Sequence, residues 1–248
     1  CEFAADYYQR PVGEVVIPCS PKNLRALTNL ALDKALKKIA RPAPLSETPA
    51  SPRPALHPEQ ELAVATLAAD TGFTVSLLFG VTGSGKTEVY LQAVARCLAE
   101  DPEAQALMMV PEINLTPQLE ERVKARFGAE GVVSMHSGMT GPQRLKSWLA
   151  AHNGSARIVL GTRMSVFASM PKLKWIVVDE EHDASYKQQE GARYSARDLA
   201  VYRGRLENAK VILGSATPSL ESWHQSRPTA EGGRYLRLQM PARIGAGQ

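Results

Sequence analysis

LLFGVTGSGKTEVYL, residues 77–91, sets three glycines, a lysine and a threonine between two apolar runs. Gly80 to Thr87 fits G-x-x-x-x-G-K-[S/T]. Glycines at these positions let successive backbone N–H groups turn inward around phosphate oxygens, at the start of a helix whose dipole favours anions. Gly83, Ser84 and Gly85 form the cradle, Lys86 would reach the outer phosphates, and the Thr87 hydroxyl would ligate Mg²⁺. The apolar run before the loop reads as a buried strand, and Thr87–Leu98 after it as a helix.

The same alternation continues on both sides. TVSLLFG, ALMMVP, ARIVLG, WIVVDE and KVILGSATP are short apolar runs, each followed by a polar loop and in most cases a helical stretch such as Gln118–Phe127. Continuous apolar strands separated by helices predict an α/β fold with a mainly parallel sheet covered by helices on both faces. Such sheets place ligands at the carboxyl ends of their strands.

KWIVVDEEHD supplies the acid that a phosphate loop requires. Ile176 to Val178 form the strand and Asp179 stands at its carboxyl end. Asp179 would order Mg²⁺, and Glu180 is placed to polarise an attacking water. Crowding Asp179, Glu180, Glu181 and Asp183 together costs repulsion that a bound cation relieves. His182, beside the acid pair, is expected to couple the site to its surroundings. LGSATPS follows another buried strand, and Ser215 and Thr217 can pass hydrogen bonds between a nucleotide and a second surface.

Bulk properties bound the rest. The chain has 248 residues, 44% hydrophobic and 22% charged, enough to bury a real core. A net charge of +4 permits a polyanionic partner without requiring one. Cys1, Cys19 and Cys97 are too far apart for a C-x-x-C site, which fits a reducing compartment, and the cytoplasm is the expected location. No apolar run approaches membrane-spanning length, so no membrane partner is expected.

Upstream of the lobe, Val12 to Ile17 suggests a short strand. Ser20-Pro21 then offers a helix start, and Leu24, Leu27, Ala31, Ala35 and Ile39 recur at helical spacing. Residues 1–40 are thus expected as a small α+β piece with an amphipathic helix whose lysines form either a solvated or a nucleic-acid-facing surface. RPAPLSETPASPRP, residues 41–54, holds five prolines and reads as an extended linker, with the boundary at 55.

Phosphate loop, then D-E-E-H, then S-A-T is the motif order of superfamily 2 helicases. GVTGSGKTEVYL, VPEINLTPQLEERV, HSGM, GTRMSVFA, VVDEEHDASYKQQEGARYSARDLAVYR and GSATPSLES together resemble the PriA-type primosomal replication-restart helicases. The resemblance spans about 56–237 and implies a RecA-like P-loop NTPase lobe using ATP and Mg²⁺. By that resemblance Gln60 recognises adenine. Pro111, Glu112 and Thr116 (motif Ia) and Gly161, Thr162 and Arg163 (motif Ib) contact the single-stranded backbone. Tyr186, Lys187, Gln188, Arg193 and Tyr194 fall in an aromatic-rich loop that senses DNA. Aromatics interleaved with cations suit single strands, although Tyr186 and Tyr194 could equally pack the loop against the core.

The family's activity is ATP-dependent 3′-to-5′ unwinding at stalled forks and primosome assembly. Its partners are single-stranded and forked DNA, primosome proteins and single-strand-binding protein. The N-terminal residues are similar to the end of the family's 3′-DNA-binding domain. Residues 238–248 look like the start of the connection to a second lobe. That lobe, its arginine finger and the zinc cysteines are expected beyond this chain, so little turnover is expected from it alone. Another superfamily 2 translocase, or a non-catalytic DNA- or partner-binding platform, are the competing readings.

Overall fold

The apolar strands are buried on both sides, and their neighbouring side chains go to opposite faces. In the computed structural model, which describes residues 1–39, 54–69 and 71–243, strands β1 (Val75–Gly80), β2 (Gln105–Met109), β3 (Val132–Met135), β4 (Ile158–Gly161), β5 (Leu173–Val178), β6 (Lys210–Ser215) and β7 (Leu236–Met240) form one sheet. Its order is β3-β4-β2-β5-β6-β1-β7, and each ladder is parallel.

Ten helices accompany it among the described residues: α1 (Glu2–Tyr7), α2 (Val12–Cys19), α3 (Lys22–Arg25), α4 (Asn29–Lys38), α5 (Pro58–Ala69), α6 (Lys86–Glu100), α7 (Pro117–Phe127), α8 (Gly141–His152), α9 (Ala196–Glu207) and α10 (Leu220–Gln225). Leu78, Met108, Leu160, Val177 and Ile212 join one core with residues of α5, α6 and α7. Leu77, Leu107, Val159, Ile176, Val178 and Leu213 join the other with residues of α1, α2, α8 and α9. Burying each such side chain contributes about 1.5–3 kcal/mol relative to exposure. The α/β, parallel, doubly covered sheet expected from the sequence is what forms.

The N-terminal segment differs from expectation. Val12 to Cys19 is helix, not strand, and residues 1–39 contain no strand. A β-branched run favours extended backbone only where a sheet edge receives it. Here Val15 is instead buried beside Ala4 and Ala5 of α1 in the core behind the sheet. The single amphipathic helix is two helices. Thr28 breaks it, its hydroxyl accepting from the Ala31 N–H at 3.3 Å as the cap of α4. Ser20 follows α2 rather than opening a helix, and α4 buries none of its residues.

β3 and β7 were not foreseen, and β7 crosses position 237, where the lobe was expected to end. The proline-rich linker falls almost wholly outside the described residues, as do residues 244–248. Among the described residues no helix is long and apolar enough to cross a membrane.

Candidate active site

β1, β6 and β5 are neighbours, so their carboxyl ends bring the glycine loop, Ser215 and Asp179 together. The other half of that edge, β2 and β4, ends at Pro111 and Thr162. β5 is the middle strand, and its acids stand between the two halves.

The loop has the backbone its glycines permit. Gly83 and Gly85 adopt φ of +83° and +79°, left-handed values that cost a residue with a side chain. Gly80 has no space for a Cβ, which would lie 2.6 Å from Ser84 Oγ. Ser84 is 2% exposed and its hydroxyl has no partner, a costly state unless a ligand satisfies it. Lys86 is buried at the start of α6 and donates to the Gly80 carbonyl at 2.9 Å. Gln60 on α5 is buried behind the loop. Its Oε1 accepts from the His57 N–H at 2.9 Å and its Nε2 donates to the Ser84 and Gly85 carbonyls at 3.4 Å. Thr87 is half-buried in the first turn of α6.

Asp179 is held from several sides. Its N–H donates to the Met109 carbonyl at 2.9 Å, and its carbonyl accepts from the Tyr186 hydroxyl at 2.7 Å. The Tyr90 hydroxyl donates to Oδ1 at 3.1 Å. Burial, then the neighbouring Glu180 charge, raises its carboxyl above the usual range, partly offset by Tyr90 and Lys86. Glu180 takes φ of +45°, a left-handed conformation unusual for a non-glycine residue. Its carboxylate lies 3.6 Å from His182 Nδ1. The imidazole also lies 2.8 Å from Ser215 Oγ and 3.3 Å from Thr217 Oγ1. The acid turn and the Ser-Ala-Thr turn are therefore in direct contact through His182.

Glu181 had no assigned role, yet its side chain is fully buried. It accepts from the Ser219 N–H at 2.7 Å, the Ser222 hydroxyl at 2.8 Å and the Ser219 hydroxyl at 3.1 Å, and it pairs with Arg197 at 3.2 Å. Tyr90 and Arg197 were likewise missed. Only the proximity of Tyr90 to the loop, within the same quoted stretch, could have suggested it.

The aromatic-rich loop decides between the two readings of its tyrosines. Tyr186 and Tyr194 are 1% and 8% exposed. Tyr194 meets Phe167 edge-on at 5.1 Å. Burial pushes both phenols up in pKa. Neither ring offers a face to a stacking base; both pack the loop against the core. Lys187 and Arg193 remain exposed, and Gln188 is half-buried with its N–H donating to the Tyr194 carbonyl. Arg163 Nη1 donates to the Ser185 and Lys187 carbonyls at 2.8 and 3.2 Å, so it braces this loop, while its buried Nε has no partner. The loop closes through a bridge between Lys187 and Ser195, and the Ser195 N–H donates to the Tyr8 hydroxyl at 3.0 Å.

On the β2 and β4 half, Pro111 and Thr162 are buried. Thr116 is exposed and caps α7 by accepting from the Leu119 N–H. The Glu112 carboxylate accepts from the Ser137 hydroxyl. Gly161 has no room for a Cβ, which would lie 2.7 Å from the Met135 carbonyl oxygen.

A model of the DEAD/DEAH box helicase family matches residues 57–225. The chain is 46% identical over 190 residues to the replication restart protein PriA of Haemophilus influenzae, covering 77% of this chain and 25% of that one. It is 42% identical over 212 residues to PriA of Bacillus subtilis, covering 86% and 24%. It thus spans about a quarter of the length of these curated relatives. Among solved structures, RecG bound to a three-way DNA junction superposes with a TM-score of 0.56 at 21% identity, covering 88% of this chain and 28% of that one. At that identity the likeness concerns the fold.

Proposed function

The chain belongs to the DEAD/DEAH box helicase family, and from that premise we propose that it is the ATP-binding lobe of a 3′-to-5′ DNA helicase acting in replication restart. The observation that carries the nucleotide part is the meeting, at one sheet edge, of the glycine loop, Asp179 and the His182–Ser215–Thr217 contact. The replication-restart part rests on similarity to relatives that bear that name.

The residues fit Mg²⁺ and ATP. Two glycines in left-handed backbone turn the loop inward, and the buried Ser84 hydroxyl is free to meet an anion. Bound MgATP would supply the phosphoryl group and the cation that neutralises its charge. The loop N–H groups and Lys86 bind and orient the phosphates. Thr87 and Asp179 would hold the cation. Glu180 would orient a water and accept its proton. Gln60, tied to the back of the loop, would have to release the Ser84 and Gly85 carbonyls to present its amide to adenine.

His182 then carries the state of the acid turn to Ser215 and Thr217. The polymer side is assigned to Pro111, Thr116, Thr162, Lys187 and Arg193, with Arg163, Tyr186 and Tyr194 acting through the loop they support. Single-stranded and forked DNA are the proposed substrates, with primosome proteins and single-strand-binding protein as partners.

Lys86→Ala tests the site. Loss of a charge-assisted contact of about 1.5–3 kcal/mol predicts MgATP binding weakened by roughly tenfold or more. Binding to forked DNA, followed by fluorescence anisotropy, should stay unchanged. Equal nucleotide affinity of the two chains would overturn the assignment.

A further inference from the structure

Tyr90 lies on α6, one turn past Lys86, and is 1% exposed. A tyrosine this deeply buried needs a partner for its hydroxyl, and the partner here is Asp179 Oδ1 at 3.1 Å. The contact joins positions 89 residues apart. Gly214 makes it sterically feasible: a Cβ there would come within 1.5 Å of the Tyr90 hydroxyl oxygen and 2.6 Å of Cζ. Even alanine at 214 would displace the phenol. Gly214 immediately precedes Ser215 at the end of β6 and accepts from the Glu181 N–H at 2.9 Å. Three segments therefore converge on one hydroxyl: the helix after the phosphate loop, the acid turn and the Ser-Ala-Thr turn.

The Asp179 main chain is already fixed by Met109 and Tyr186. Its carboxylate is what remains to be oriented. A phenol can only donate to an ionised carboxylate, and it occupies one lone-pair position, leaving the other oxygen to coordinate.

We propose that Tyr90 is a positioning residue for the divalent cation: it fixes the Asp179 carboxylate so that the second oxygen faces the phosphate loop, and Gly214 is the position that admits it. This rests on the nucleotide reading above and adds to it a residue that touches neither nucleotide nor metal. A phenol that only filled space would leave metal dependence unchanged when its hydroxyl was removed.

The test uses the chain itself, a fluorescent ADP analogue, and titrations with and without MgCl₂. Tyr90→Phe keeps the ring and its packing. The factor by which Mg²⁺ tightens ADP binding should fall by roughly 10- to 100-fold, the range for partners that orient a metal ligand. Mg²⁺-free affinity should not change. In an Asp179→Ala background, Tyr90→Phe should have no further effect on that factor, because the acceptor and the carboxylate it orients are both gone. Tyr90→Phe with the wild-type Mg²⁺ factor would overturn the inference alone. No Mg²⁺ enhancement in the wild type would overturn the nucleotide reading with it.

Discussion

Glu180 holds its backbone at φ of +45° between two acids. For an L-residue with a side chain the left-handed region costs about 1–2 kcal/mol, and glycine avoids that at an entropic cost of about 0.5–1 kcal/mol. Glu180→Gly is therefore expected to stabilise the chain by about 0.5 kcal/mol, read from the urea midpoint, while removing the carboxylate proposed to orient water. A clear loss of stability would show that the carboxylate, not the turn, holds this position. The residues that announce themselves in the sequence are those whose chemistry needs a fixed local spacing, such as Lys86, Thr87, Asp179 and Glu180. Tyr90 and Glu181 do not, because their partners lie 89 and 38 residues away and only the fold supplies them. For the two tyrosines the sequence left base stacking and core packing open, and burial decides for packing; Arg163 is half-buried with Nη1 on the loop carbonyls, a contact only the fold supplies.

At the scale of elements, α10 depends on a residue outside itself. Glu181 accepts from Ser219, its cap, and from Ser222 in its first turn, while Arg197 of α9 balances the charge. Six residues are too few for a helix to hold by itself. Glu181→Ala leaves these donors and Arg197 without their acceptor and is expected to destabilise by about 3 kcal/mol. Arg197 keeps Asp198 at 2.8 Å, which limits the loss. Amide exchange should rise first over 216–225, with thermal unfolding giving the total; unchanged exchange there would refute the cap. The main strands were legible because burial on both faces demands unbroken apolar runs. β3 and β7 were not. β3 is four residues with a central serine, and β7 alternates as an edge strand does. The run at 12–17 misled because β-branching reports a bias, whereas the packing of α1 against α2 decides the outcome.

For the whole molecule, α1 and α2 are part of the lobe. Ala4, Ala5 and Val15 lie in the core behind the sheet, Phe3 stacks on Tyr202, and Tyr8 meets Ser195. Removing residues 1–19 should cost roughly 2–4 kcal/mol from the buried Val15 and the half-buried Phe3 together. It should also speed amide exchange over 187–195, the loop whose base Tyr8 holds. Unchanged melting and exchange would show the segment to be a passive neighbour. A boundary read from composition alone would fall at the prolines and cut this packing away.

The sheet order also has a consequence in time. β1, which carries the phosphate loop, pairs only with β6 and β7, and these begin at Lys210 and Leu236. A ribosome that has made the glycine loop must add more than a hundred further residues before that strand has a neighbour. Pairings this distant in sequence slow folding. Until they form, VSLLFG is an apolar strand with two open edges, the feature of a nascent chain that favours aggregation or chaperone capture.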